Sequence, residues 1–135
     1  MESNIQRQNE ENVGYLIIRA STARGAIPLP NAAVSIRGAE AKNSGMLFSL
    51  STNNDGLTQK IALPSPDRAL SESPGNPSPF SSWNVDVFKD GYIPISFTAV
   101  PVYSGVVSVQ PAVMVPIPEN FRVTQSFNES SAPEL

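Results

Sequence analysis

The chain contains no cysteine and no histidine. Without cysteine there is no disulfide, no thiolate metal site and no thiol nucleophile. Such a composition fits a cytosolic protein, and equally the many Gram-positive surface proteins that lack cysteine. Without histidine the commonest general base and the commonest metal ligand are missing. Positive charge is sparse: nine Lys and Arg stand against twelve Asp and Glu, for a net charge of −3. The cations are scattered singly, so no basic stripe exists for a phosphate backbone, and nucleic acid is excluded as a partner. No apolar run approaches the roughly 18 residues that span a bilayer, which excludes membrane insertion. Met1-Glu2-Ser3-Asn4-Ile5-Gln6-Arg7 is polar and has no apolar core, so it does not read as a signal peptide. Cytoplasmic synthesis is expected, with any export left to another route. Helical periodicity and internal repeats are also missing.

What is present is a series of short apolar segments separated by turns. At 135 residues the chain is one domain by size, long enough to bury a core without covalent staples. Residues 1–12 are polar and read as a flexible N-terminal arm. Residues 120–135 carry Ser, Asn and Glu among isolated apolar residues and read as a flexible C-terminal tail. The domain is expected over 13–119.

Tyr15-Leu16-Ile17-Ile18-Arg19-Ala20 reads as a strand dense enough in aliphatics to be buried on both faces. Ala33-Val34-Ser35-Ile36-Arg37 alternates, with Val34 and Ile36 together on one face. Met46–Thr52 and Leu57–Leu63 flank Asn53-Asn54-Asp55-Gly56, where Asp55-Gly56 supplies residues suited to a primed turn; the pair is expected to form a hairpin. Leu57, Ile61 and Leu63 fall on one of its faces, Thr58 and Lys60 on the other. Trp83-Asn84-Val85-Asp86-Val87 alternates strictly, with Trp83, Val85 and Val87 inward. After the Lys89-Asp90-Gly91 turn, Ile95, Phe97 and Ala99 share a face. The last strand, Val106–Val115, puts Val107, Val109, Val113 and Val115 on a common face. Pro111 interrupts its donors, which assigns the strand to an edge or a bulge. Seven short strands at near-regular spacing predict an all-β, antiparallel sandwich.

Residues 64–82 break the pattern. Prolines fall at 64, 66, 74, 77 and 79 among several serines, which rules out helix and central strand. So long a loop in a compact domain is more often functional than an ordinary connector.

Three segments, Pro28-Leu29-Pro30-Asn31-Ala32-Ala33-Val34-Ser35-Ile36, Thr52-Asn53-Asn54-Asp55-Gly56-Leu57 and Val87-Phe88-Lys89-Asp90-Gly91-Tyr92, resemble the carboxypeptidase regulatory-like domains. That resemblance implies a seven-stranded transthyretin-like (prealbumin-like) sandwich. The family prefers Gly where Asn31 stands, and Asn also accepts left-handed turn geometry. A narrower likeness rests on Thr22-Ala23-Arg24-Gly25-Ala26-Ile27-Pro28-Leu29, Leu63-Pro64-Ser65-Pro66, Val100-Pro101-Val102-Tyr103-Ser104-Gly105 and Val109-Gln110-Pro111. These pieces resemble the accessory module of clostridial spore cortex-lytic and peptidoglycan-binding proteins. The resemblance implies an accessory role in a spore or cell envelope and carries no catalytic residues with it.

Asp55, with its neighbouring amides, suggests a calcium ligand, but the further carboxylates of a calcium loop do not follow, and a turn is the simpler reading. Asp86 and Asp90 with Glu40 or Glu72 would need to face one another across a cleft to hydrolyse a glycoside; strand alternation points Asp86 outward, and Asp90 sits in a turn. No serine stands in a Ser-x-x-Lys motif with Lys60 or Lys89. An internal isopeptide bond would need a lysine where the first strand has Arg19. Neither a metal nor a cofactor is expected, and no enzyme activity. Trp83 is read as core because it is in phase with Val85 and Val87, although an aromatic bordering the loop could also stack on a sugar ring. Phe80, Tyr92 and Tyr103 are the candidate partner-binding residues.

The expected function is therefore a binding or scaffolding module with a protein or cell-wall partner, peptidoglycan included. The contact would fall on the 64–82 loop and on the edge strand at Pro111. The alternative is a structural subunit that self-assembles into a fibre, with the N-terminal arm or the tail at Val123 and Phe127 adding to a neighbour's sheet.

Overall fold

The computed structural model describes residues 12–66 and 80–118. Most of the 64–82 loop, both ends of the chain, and with them Glu72, Val123 and Phe127, lie outside the described residues. The elements are β1 (Val13–Thr22), β2 (Ile27–Pro28), β3 (Ala33–Gly38), β4 (Leu47–Ser51), β5 (Ile61–Pro64), β6 (Ser81–Phe88), β7 (Ile95–Val102) and β8 (Val107–Val113). Short 3-10 turns at Ala23–Gly25 and Ala41–Asn43 are the helical pieces among the described residues, and none is long and apolar enough to cross a membrane. Seven strands of four residues or more match the expected sandwich; β2 is an added two-residue pairing.

One sheet has β1 at its centre, with β5 and β2 on one side and β8 on the other. The second sheet runs β4-β3-β6-β7. All pairings are antiparallel except β1 with β8, which is parallel from Tyr15↔Val107 to Ser21↔Val113. Between β5 and β2, the segment Gly56–Thr58 completes the flank of β1. Ala20 N–H donates to Gly56 C=O (2.7 Å) and Thr58 N–H to Ile18 C=O (3.0 Å).

Alternation puts Leu16, Ile18 and Ala20 of β1, Leu63 of β5, and Ala112 inward from the first sheet; Val34, Ile36, Trp83, Val85 and Val87 meet them from the second, all of them buried. Trp83 is fully buried, with Phe48 tilted against it at 6.2 Å between ring centroids. Removing about 200 Å² of indole from water contributes about 5 kcal/mol. That far exceeds the roughly 1 kcal/mol of an average hydrogen bond, so area fixes the indole in the core. Its N–H still needs a partner, and donates to Ser81 Oγ at 2.7 Å.

Four details differ from the sequence reading. First, the expected hairpin does not form. The Asn53–Gly56 turn exists: Gly56 N–H donates to Asn53 C=O (2.9 Å), and Asn53 Oδ1 accepts from the N–H groups of Asp55 (2.9 Å) and Leu57 (3.1 Å). But β4 pairs with β3 in one sheet and β5 with β1 in the other. Two threonines anchor the crossing. Thr52 Oγ1 donates to Leu29 C=O (2.6 Å) and accepts from Ala32 N–H (2.9 Å); Thr58 Oγ1 accepts from Ile18 N–H (3.0 Å). Thr58 is accordingly buried rather than outward. Second, β1 is buried on its inner face only, with Val13, Tyr15 and Ile17 half-exposed and Arg19 exposed on the other. Third, the β8 valines do share a face, but it is the outer one; the buried partners are Ala112 and Met114.

Fourth, Ala99 does not share the inward face of Ile95 and Phe97. Trp83 pairs with Val100 while Val85 pairs with Phe97, so β7 carries one extra residue. Ala99 takes that place at φ +58°, held by its N–H donating to Asn84 Oδ1 at 3.0 Å. The bulge shifts the phase, and the buried residues become Val100 and Val102. Pro111 stands on an edge strand, as expected. Asn31 sits at φ +58°, the left-handed geometry that glycine would otherwise supply.

Thr52→Val is expected to lower unfolding stability by about 1–3 kcal/mol, because two buried backbone groups lose their partner. Thr52→Ser keeps the hydroxyl and should lose clearly less in the same urea titration; equal losses would show that the hydroxyl does not anchor the crossing. On the outer face, Val109→Thr should change stability by no more than about 0.5 kcal/mol. Val85→Thr, which buries a hydroxyl, should cost about 1–3 kcal/mol. Similar costs at both positions would put Val109 in the core.

Candidate interaction surfaces

Phe80 and Tyr103 come together at one end of the sandwich. Phe80 immediately precedes β6 and Tyr103 immediately follows β7, and these strands are antiparallel neighbours. Their ring centroids lie 5.4 Å apart, tilted by 59°. Tyr103 is 41% exposed, so the pair presents aromatic surface to solvent rather than filling the core.

Beneath the pair lies a buried hydroxyl chain. Ser81 Oγ accepts from the Trp83 indole and lies 3.2 Å from Ser65 Oγ. Ser65 Oγ in turn reaches Val102 C=O at 3.1 Å and Leu63 C=O at 3.3 Å. Ser65 and Ser81 are both buried, and among the described residues no buried side-chain polar atom lacks a partner. The chain therefore links β5, β6 and β7 under the aromatic pair and holds that end in one arrangement. Gly14 permits the close packing: a Cβ there would meet the Tyr103 carbonyl oxygen and the Val102 side chain.

Ser65 also lines a groove of about 390 Å³ with Lys42, Asn43, Met46, Pro64 and Pro66. Its far wall is the Ala41–Asn43 turn, fixed by Glu40. The Glu40 carboxylate accepts from Ser82 N–H at 2.7 Å, while Glu40 N–H donates to Asn43 Oδ1 at 2.8 Å. Pro64, Pro66 and Met46 make the lining largely apolar, with the Lys42 ammonium the charged group at its edge. A second groove, of about 430 Å³, lies where the chain crosses between the sheets, bordered by Ser49, Ser51, Asn53 and Gln59.

Tyr92 does not join Phe80 and Tyr103. It lies in the β6–β7 turn, bridged to Pro116, and packs half-buried against the core. An eight-residue strand separates the two ends, about 25 Å at ordinary strand rise.

Asp86 and Glu40 are engaged separately. Asp86 meets Arg37 Nη2 at 3.1 Å and accepts from Ser96 Oγ at 2.6 Å, on the outer face of the second sheet. Glu40 serves the turn described above. Lys89 Nζ donates to Pro30 C=O at 2.7 Å, and Lys60 Nζ stands 4.8 Å above the Tyr15 ring. Among the described residues no group of three His, Cys, Asp or Glu could hold a metal ion.

The outer face of the second sheet carries Ser35, Arg37, Ser49, Asp86 and Ser96, with Leu47 and Phe88 exposed among them. On that of the first, Tyr15, Ile17 and Arg19 of β1 stand beside Val107, Val109 and Pro111 of β8, with Val113 beyond. Sequence alternation could group these residues by face. It could not place the β8 valines outward, because they are the more apolar group: Ser108 and Gln110 stand with Ala112 and Met114 on the other.

No family model matches the chain, and no curated protein matches it. Solved structures do share the fold. One is the Bacillus anthracis TIE protein, 15% identical, covering 78% of this chain and 17% of that one, with a TM-score of 0.53. A catechol 1,2-dioxygenase from Acinetobacter is 13% identical over 81% of this chain and 54% of that one, at a TM-score of 0.55. The 3-chlorocatechol 1,2-dioxygenase of Rhodococcus opacus is 11% identical over 78% and 60%, at a TM-score of 0.52. In every case the chain spans less than two thirds of the other protein. The dioxygenases correct the expectation that a chain of this kind is not an enzyme: the same sandwich makes up more than half of two enzymes. At these identities the likeness is one of fold, and it assigns this chain neither a reaction nor a substrate.

Proposed function

We propose that the chain is a binding or scaffolding module of a bacterial cell envelope or spore, and that it holds a protein or cell-wall partner at the Phe80–Tyr103 end. The observation that carries this reading is the exposed aromatic pair mounted on a fully bonded hydroxyl chain, with the 390 Å³ groove beside it. Aromatic rings with few rotatable bonds bind at low entropic cost, and a rigid sandwich end presents them without reorganisation. The apolar lining at Met46, Pro64 and Pro66 suits an extended peptide or the flat face of a sugar; the Lys42 ammonium at its edge is paired with Glu40 Oε2 at 3.5 Å. The envelope context is supported by the sequence resemblance to carboxypeptidase regulatory-like domains and to the accessory module of spore cortex-lytic proteins. Ser65, Val102 and Tyr103 lie in the segments that carry it.

The test is retention on purified peptidoglycan and on an envelope-protein extract. Phe80→Ala combined with Tyr103→Ala should weaken retention about tenfold or more, as expected for two stacked rings, and leave the unfolding midpoint nearly unchanged. Tyr92→Ala, at the opposite end, reports whether a second contact exists. Retention unaffected by the double substitution would move the binding surface elsewhere.

A further inference from the structure

The first sheet ends at β8, and bond directions along this strand divide by parity. In a parallel ladder alternate residues turn both N–H and C=O toward the neighbour. Tyr15 N–H donates to Val106 C=O (2.9 Å) and Met114 N–H to Ser21 C=O (2.7 Å). Even-numbered residues of β8 therefore face β1. The odd-numbered set, Val107, Val109, Pro111 and Val113, turns its backbone groups the other way. Pro111 has no N–H to offer and belongs to this outward set, so its presence leaves the β1 ladder intact.

From Val115 onward that side is occupied. Ile93 N–H donates to Val115 C=O, and Ile117 N–H to Gly91 C=O, each at 2.9 Å. From Val107 to Val113 no strand among the described residues pairs with it. The side chains there are apolar and open, with Val107 50%, Val109 49% and Val113 44% exposed. Charge or proline normally guards such an edge; β8 carries no charge, and Pro111 removes one of its outward donors.

The sequence beyond the described fold holds a segment that fits. Phe121-Arg122-Val123-Thr124-Gln125-Ser126-Phe127 lies between Asn120 and Asn128. Phe121, Val123 and Phe127 share one phase, broken by the polar Gln125, with Arg122, Thr124 and Ser126 in the other, and the segment contains neither Pro nor Gly. It has the same length as β8, seven residues. Residues 1–12 show no such alternation.

We propose that Phe121–Phe127 of one copy adds as a strand to the open Val107–Val113 edge of a second copy. A second copy is favoured over the same chain by reach. Laying Phe121 beside its own Val113 means returning about 17 Å along the strand. The three steps from Pro118 span about 11 Å at most, and Gly91–Ile93 occupies the edge in between. This inference is independent of the partner reading, because it uses a different surface.

The experiment is light scattering on the full chain across micromolar concentrations. A concentration-dependent dimer or larger species is expected. Val109→Pro removes one outward N–H and no bond to β1, so it should give the 14.4 kDa monomer with its melting temperature kept. Deleting residues 119–135 should do the same. Gln110→Pro, which removes an inward N–H, should lower the melting temperature sharply. With Phe121 beside Val113, Gln125 lies opposite Val109; the chain has no cysteine, so oxidising a mixture of Val109→Cys and Gln125→Cys chains should yield a mixed disulfide dimer. A full chain that stays monomeric, assembly that survives Val109→Pro, or a doubly substituted chain that links only within itself would each overturn the proposal. Envelope retention measured on the Val109→Pro monomer keeps this outcome separate from that of the partner site.

Discussion

The parallel pairing of β8 with β1 is the contact on which the rest of this sandwich depends. It joins the last described strand to the first over seven register positions, Tyr15↔Val107 to Ser21↔Val113. Thr22 Oγ1 extends it by donating to Met114 C=O, 92 residues away in sequence, at 2.8 Å. With β8 in place, β1 is flanked on both sides, and Leu16, Ile18, Ala20, Ala112 and Met114 close the core from below. Contacts this distant in sequence carry a large loop-closure entropy, so the pairing belongs to a slow, cooperative assembly step. It also sets the molecule's open side: among the described residues no strand pairs with Val107–Val113 on the side turned away from β1.

Two surfaces follow from this arrangement, and they differ in kind. The Phe80–Tyr103 end is small, aromatic and rigidly supported by the Trp83–Ser81–Ser65 chain. The β8 edge is backbone, open over Val107–Val113 and bordered by valines. The first suits recognition of a distinct partner, the second suits strand addition. They lie on different parts of the fold, so one chain has room for both. On the outer face of the second sheet Arg37 and Ser96 each bond Asp86 in solvent, with Leu47 and Phe88 exposed at its margins.

Local features were legible in the sequence, and pairings were not. Alternation placed Val34 with Ile36, and Trp83 with Val85 and Val87, on faces that are indeed buried. Turn chemistry placed the reversal at Asn53–Gly56 and the left-handed residue at Asn31. What each arm of the Asn53–Gly56 turn pairs with depends on Thr52 and Thr58, whose hydroxyls meet residues 20 to 40 positions away. A period of two cannot register such contacts. The same period grouped the β8 valines correctly but could not place them outward, because they are the more apolar phase of that strand. It failed at Ala99, where a single extra residue reverses the phase. Of the candidate site, Phe80 and Tyr103 were identifiable as residues. Their stacking was not, because it arises from the β6–β7 pairing, and the groove is formed by two segments distant in sequence.

Amide hydrogen exchange along β8, measured by NMR on dilute monomer, tests the central claim most directly. The expected result is an alternation: slow exchange at Ser108, Gln110, Ala112 and Met114, whose N–H groups face β1, and fast exchange at Val107, Val109 and Val113. Protection at the odd-numbered residues in place of the even would contradict this pairing, and uniform protection would close the edge it leaves open.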